Sequence, residues 1–115
     1  MQMKLELISV PVTDPDRAID FYVNKVGFVL DHDILVSESI RFVQLTPPGS
    51  ACSIVLGRGV TEMTPGSQSG LQMVIDNAHN AHEELHARGV DVSDVEVLPW
   101  GSFVYFNDPD GNTWA

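Results

Sequence analysis

Val10-Pro11-Val12-Thr13-Asp14-Pro15-Asp16-Arg17-Ala18 is the point at which a strand hands over to a helix. Upstream of it, Lys4 to Val12 alternates loosely, with β-branched Ile8, Val10 and Val12 on one side, the pattern of a half-buried strand. Asp14 can accept hydrogen bonds from the first helical amides, and Pro15 brings the fixed φ of a first helical position. Asp16 sits at the positive end of the helix dipole. Ala18, Ile19, Tyr22, Val23 and Val26 then supply an apolar face, and Gly27 stops the helix. Strand-like stretches follow at 28–36, 40–46 and 52–57, the last two joined by the turn Pro47-Pro48-Gly49-Ser50. The order is βαβββ.

Residues 57–70 hold Gly57, Gly59, Pro65, Gly66 and Gly70 with no sustained periodicity and read as a loop. Beyond it the order restarts. A strand is expected from Leu71 to Ile75, then a helix capped near Asp76 or Asn77 with Ala78, Ala81 and Leu85 inward and Gly89 at its end, then strands near 94–98, 102–107 and 112–115. Val12-Thr13-Asp14-Pro15-Asp16-Arg17-Ala18 can be set over Ile75-Asp76-Asn77-Ala78-His79-Asn80-Ala81, and one gap then brings Gly27 onto Gly89. An internal duplication accounts for this most economically. The expected fold is α+β: two βαβββ modules forming a curved mixed sheet, with helices on the outer face and a cleft on the concave face. Residues 1–115 form a single domain in this reading, with module one at about 3–57, a linker at about 58–69 and module two at about 70–115.

A chain of 115 residues with 43% hydrophobic residues can bury one core without disulfides or structural metals. No apolar run is long enough to span a membrane, and Met1 to Glu6 lacks the apolar region of a secretory signal, so a soluble, cytoplasmic protein is expected. Cys52 stands alone and cannot form an internal disulfide; beside a strand core it reads as an inert buried thiol. Six Lys and Arg against sixteen Asp and Glu leave a net charge of −10, which repels phosphodiester backbones and anionic lipid. Neither nucleic acid nor a membrane is an expected partner. Nucleophile elbows, phosphate loops and Cys-x-x-Cys pairs are absent, and no catalytic residue is assigned.

Leu7 to Asp14, followed by Ala18, Phe21-Tyr22 and Gly27-Phe28, resembles the opening module of the vicinal oxygen chelate superfamily. The run Phe106-Asn107-Asp108-Pro109-Asp110-Gly111-Asn112 resembles the turn before its final strand. That superfamily contains glyoxalase, extradiol dioxygenases, fosfomycin-modifying enzymes and bleomycin-resistance proteins. Its metal-dependent members hold a divalent ion with His and Glu on the concave face. The resemblance places those four ligand positions on Leu7, on Val55 or Ser53, on Gly70 and on Ala115. None is a good ligand, so neither a metal nor another cofactor is expected. His79, His82 and His86 share one helical stripe, about 100° from the Ala78, Ala81 and Leu85 face, and are expected at the solvated surface. Asp31-His32-Asp33 reads as a polar strand edge, or as an acidic or imidazole group at the cleft mouth.

Strand parity selects the cleft lining. Ile8, Val10 and Val12 should face the helix while Leu7, Ser9 and Pro11 face the cleft. In the fourth strand Cys52, Ile54 and Leu56 should point inward, with Ser53 and Val55 on the cleft. The candidate ligand-binding residues are Leu7, Ser9, Val55, Gln72, Val74 and Ala115, joined by Phe42, Gln44, Trp100, Phe103 and Tyr105, whose register stays open. Such a lining is largely apolar, with a few amides and hydroxyls, and suits a flat or aromatic small molecule. The resemblance implies a metal-free binding protein of the bleomycin-resistance type that sequesters an aromatic or cationic ligand. Two alternatives remain open. One is a glyoxalase- or dioxygenase-type lyase, isomerase or oxygenase with displaced ligands, or with a carboxylate or His32 as proton carrier; the other is a housekeeping dimer with no ligand. Exposed sheet edges, and the habit of the resembled family, lead to the expectation of a homodimer.

Overall fold

The Asp14 carboxylate accepts a hydrogen bond from the Arg17 amide at 3.2 Å, and with Pro15 in the first helical turn the chain enters α1 (Pro15–Ile19). In the computed structural model, which describes Met1 to Ala115, this helix continues unbroken as a π-helical stretch, Asp20–Val26. It ends where Gly27, at φ 102°, and Phe28 both donate to the Tyr22 carbonyl, at 2.9 and 2.8 Å. Only a residue without a side chain takes that left-handed step cheaply.

Beside the helix lies a four-stranded sheet in the order β1-β4-β3-β2, made of β1 (Leu7–Ser9), β2 (Val29–Leu35), β3 (Arg41–Thr46) and β4 (Ser53–Arg58). β1 runs parallel to β4, and the other pairs are antiparallel. β1 is shorter than the alternation from Lys4 to Val12 predicts. Its pairing extends by one bond at each end, Ser53 N to the Glu6 carbonyl and Val10 N to the Val55 carbonyl, both 2.9 Å. It stops at Pro11, which has no N–H to give. One face of the sheet sends Val43, Leu45, Ile54 and Leu56 into a core with Val10 and the helical Ala18, Phe21 and Tyr22. Two parity expectations need correction. Pro11 is fully buried rather than cleft-facing, its carbonyl accepting from Asn112 Nδ2 at 2.8 Å and from Gly66 N at 3.1 Å. Cys52 is half-buried at the mouth of the turn, not sealed in the core.

The second half repeats this plan with shorter ladders. α2 (Ala78–Ala87) is capped by Asn77, whose side-chain oxygen accepts from Asn80 N at 3.0 Å. β5 (Glu96–Leu98) pairs antiparallel with β6 (Gly101–Phe103), and β7 (Phe106–Asn107) with β8 (Thr113–Trp114). Leu71 forms a parallel bridge to Trp114. From Leu71 through β8 and β7, and back along β6 to β5, the order and directions are those of β1-β4-β3-β2. The strand expected from Leu71 to Ile75 is reduced to that bridge and two backbone bonds, Ala115 N to Leu71 O and Met73 N to Ala115 O. The strand expected over 102–107 is split at Val104 and Tyr105. There the Tyr105 amide donates to the Ser93 hydroxyl at 2.9 Å instead of to a backbone carbonyl, which interrupts the ladder.

The Asp108-to-Asn112 turn locks the halves together. Tyr22 OH donates to Asp108 Oδ2 at 2.7 Å and accepts from Trp114 Nε1 at 3.0 Å, while Asp108 Oδ1 accepts the amides of Asp110 and Asn112. Around this network Tyr22 and Phe28 meet Trp114 edge-on, with ring centroids 5.9 and 5.7 Å apart. No helix is long and apolar enough to cross a membrane.

Candidate functional site

Because strand side chains alternate, the residues between the core positions emerge on the sheet face away from α1. Leu7 and Ser9 lie opposite Ser53 and Val55, and Gln44 and Phe42 lie opposite Val55 and Gly57. Leu7, Ser9, Phe42, Gln44 and Val55 therefore share one surface, and the register left open for Phe42 and Gln44 is settled. Val55, on a central strand, is only 5% exposed, whereas Leu7 at its margin is 39% exposed.

A chain of polar side chains crosses the same face. Gln44 Nε2 donates to Ser53 Oγ at 3.4 Å, the Ser53 and Thr46 hydroxyls are 2.6 Å apart, and Thr46 donates to Asp31 Oδ2. A register shift in β2 between Leu30 and His32 is what turns Asp31 onto this side. Asp33 lies on the opposite side, where the Arg41 guanidinium grips both its oxygens at 2.9 Å and also reaches Asp16 at 2.9 Å. That grip holds the Asp33 carboxyl below its usual range. Asp31 has no such cation. Asp31 escaped the parity argument because a bulge is invisible to strict alternation, with the Asp31-His32-Asp33 run as its trace, whereas Thr46 shares the parity of Phe42 and Gln44 and was legible from it.

The other candidates gather in the second half. Phe103 and Tyr105 stack with centroids 6.1 Å apart and planes within 8°. Partial desolvation and, after it, the neighbouring Glu96 carboxylate raise the Tyr105 hydroxyl above its ordinary value. Gln72, Val74, Trp100, Phe103 and Ala115 line a cleft of about 360 Å³ floored by Leu85 and Phe106. Val74 there is wholly exposed, and Trp100, in the β5–β6 turn, is 74% exposed. A larger cleft of about 670 Å³ lies between Phe28, Pro48, Met73, Leu85 and Arg88, and Gln72 and Val74 border it too. Leu7, Ser9, Phe42, Gln44 and Val55 line neither cleft. The chain thus carries two separate surfaces; behind the first, Gln68 Nε2 donates to the Ser9 carbonyl at 3.0 Å.

The four positions that the resemblance equates with metal ligands do not fit a metal. Leu7, Val55, Gly70 and Ala115 offer no side-chain donor atom, and the alternative, Ser53, is engaged with Thr46 and Gln44. No three His, Cys, Asp or Glu side chains come close enough to hold an ion. On α2, His79 and His86 are exposed as expected. His82 is half-buried, its Nδ1 2.8 Å from the Ser93 carbonyl and its ring stacked on His86.

The family described as Glyoxalase/Bleomycin resistance protein/Dioxygenase superfamily matches residues 4–115. Among solved structures the chain is similar to TnmS3, an antibiotic binding protein from Streptomyces sp. CB03234, with 39% identity over 98% of this chain and 93% of that one and a TM-score of 0.88. A glyoxalase/bleomycin resistance protein from the same Streptomyces is 40% identical over 96% of both chains, with a TM-score of 0.84. A superfamily member from Sphaerobacter thermophilus DSM 20745 is 32% identical over 98% of this chain and 94% of its own, with a TM-score of 0.85.

Proposed function

The chain belongs to the glyoxalase/bleomycin resistance protein/dioxygenase superfamily, and from that premise we propose that it is a small-molecule-binding protein that sequesters an aromatic ligand without turning it over. The observation that carries this reading is the composition of its open surfaces. Leu7, Phe42 and Val55 form an apolar sheet face crossed by a few amides and hydroxyls, and Phe103, Tyr105 and Trp100 offer flat rings to stack on. The similarity to TnmS3, an antibiotic binding protein, at 39% identity supports the same reading.

Covering about 200 Å² of apolar ligand surface contributes roughly 5 kcal/mol at about 25 cal/mol per Å². Association costs offset much of that, so affinity also depends on the polar groups among the apolar ones. A second copy of the chain would bring the two surfaces of one protomer against those of its partner, and we place the ligand in that shared cleft of a homodimer. The test is a calorimetric titration with planar aromatic antibiotics, repeated on Trp100→Ala and Leu7→Glu. Binding in the micromolar range or tighter is expected, with affinity lowered about tenfold or more by the charge that Leu7→Glu sets beneath the apolar part of the ligand. Absence of binding would leave the ligand-free dimer as the better reading, and full affinity in Leu7→Glu would take the ligand off this sheet face.

A further inference from the structure

Asp31 stands at the end of a hydrogen-bonded chain whose direction the chemistry dictates. A carboxylate only accepts, so the Thr46 hydroxyl spends its one hydrogen on Asp31 Oδ2. The Thr46 oxygen, 2.6 Å from Ser53 Oγ, must then be the acceptor of the Ser53 hydrogen, and Ser53 in turn accepts from Gln44 Nε2. Every hydrogen in the row points toward Asp31. Ser53, in the middle, is buried on a central strand, so the row is built into the sheet rather than formed by mobile surface groups. At its far end Asp31 is exposed, ion-paired to no Arg, Lys or His, and its Oδ1 takes no hydrogen bond from the protein. Two residues on, Asp33 shows the contrast: its charge is spent on Arg41.

We propose that Asp31 is the polar anchor of the ligand site and that the ligand carries a protonated amine, which donates to Asp31 Oδ1 while its apolar part lies on Leu7, Phe42 and Val55. This rests on the ligand-binding reading above and adds a chemical class to it. The hydroxyl row holds the carboxylate in one orientation, so little freedom is lost when the amine arrives. A charge-assisted hydrogen bond beside an apolar surface discriminates more strongly than one in open water. The net charge of −10 adds a long-range attraction for the same class of ligand.

The experiment compares daunorubicin, an anthracycline with a free amino sugar, with its N-acetyl derivative, which keeps the ring system and loses the charge. Both are titrated calorimetrically against the wild-type protein, Asp31→Asn and Thr46→Val. Wild type is expected to prefer the amine by about tenfold or more, Asp31→Asn to bring the ratio close to one, and Thr46→Val to reduce it by about threefold. If both compounds bind wild type equally, or Asp31→Asn keeps the preference, the anchor is overturned while the binding reading stands. A preference undiminished in Thr46→Val overturns the part given to the hydroxyl row. If neither compound binds, the binding reading falls and takes the anchor with it.

Discussion

The Tyr22 hydroxyl holds three segments at once: its own helix, the Asp108 turn and Trp114 of the last strand. Removing it in Tyr22→Phe leaves the buried indole N–H without an acceptor and takes one donor from Asp108. A loss of about 1–3 kcal/mol in urea unfolding is expected. Burial, with the Asp108 charge behind it, pushes the Tyr22 pKa far above its ordinary value. In the unfolded chain the hydroxyl loses its proton near pH 10, whereas the folded protein keeps it. This contribution is therefore complete below about pH 10 and is lost as the pH rises beyond it, because there the folded state binds the additional proton. Wild type should lose more stability between pH 8 and pH 11 than Tyr22→Phe does. Since Tyr105 is present in both proteins, the difference reports Tyr22; equal losses would contradict the assignment. Asn112 is the comparable residue on the turn side, fully buried, giving its side-chain amide to Pro11 O and Asp108 Oδ2 and accepting from Gln68 N. Asn112→Ala is expected to cost about 2–4 kcal/mol by the same measurement.

Among the elements, the helices depend on caps that act locally and the sheet on a close approach that does not. Asp14→Ala removes the acceptor for the Arg17 amide and should cost about 1 kcal/mol, read as a modest drop in Tm. Gly57 is a harsher case. Its φ of 143° and its place opposite Phe42 bring the Arg41 carbonyl within 1.9 Å of where a Cβ would stand. Gly57→Ala must push β3 and β4 apart, and a loss of about 2–4 kcal/mol is expected, enough to separate it clearly from the cap variant in thermal unfolding. The paired strands also explain why the first module was legible. β2, β3 and β4 are long enough for hydrophobic alternation to show, and their bounds lie within a residue or two of those predicted. In the second half, β7 and β8 hold two residues each. Periodicity has little to act on in two residues, and at Ser93 a side chain replaces the backbone as ladder partner.

At the scale of the whole molecule the chain is open. Its radius of gyration is 14.6 Å, against about 13 Å for a compact domain of this length. Val29, Leu35 and Val36 on the β2 side, and Val74, Val97 and Trp100 in the second half, are more than half exposed. A homodimer that covers these residues is expected. Light scattering should give twice the protomer mass of 12.6 kDa at micromolar concentration, and a monomer mass independent of concentration would contradict the shared cleft.

From the sequence alone came the repeated βαβββ order, both helix starts, the glycine stop of the first helix and the shared sheet face of Leu7, Ser9, Ser53 and Val55. These follow from local rules of capping, turn chemistry and alternation, which act within a few residues of chain. Tertiary structure alone decided that Asp31 turns onto the free sheet face, because a bulge is set by how two strands pair and not by either strand. It also decided that Pro11 is buried under the Asn112 turn and that Tyr22, Asp108 and Trp114 form one network. Contacts between residues 86 and 92 positions apart depend on how the halves pack, and no local pattern encodes them.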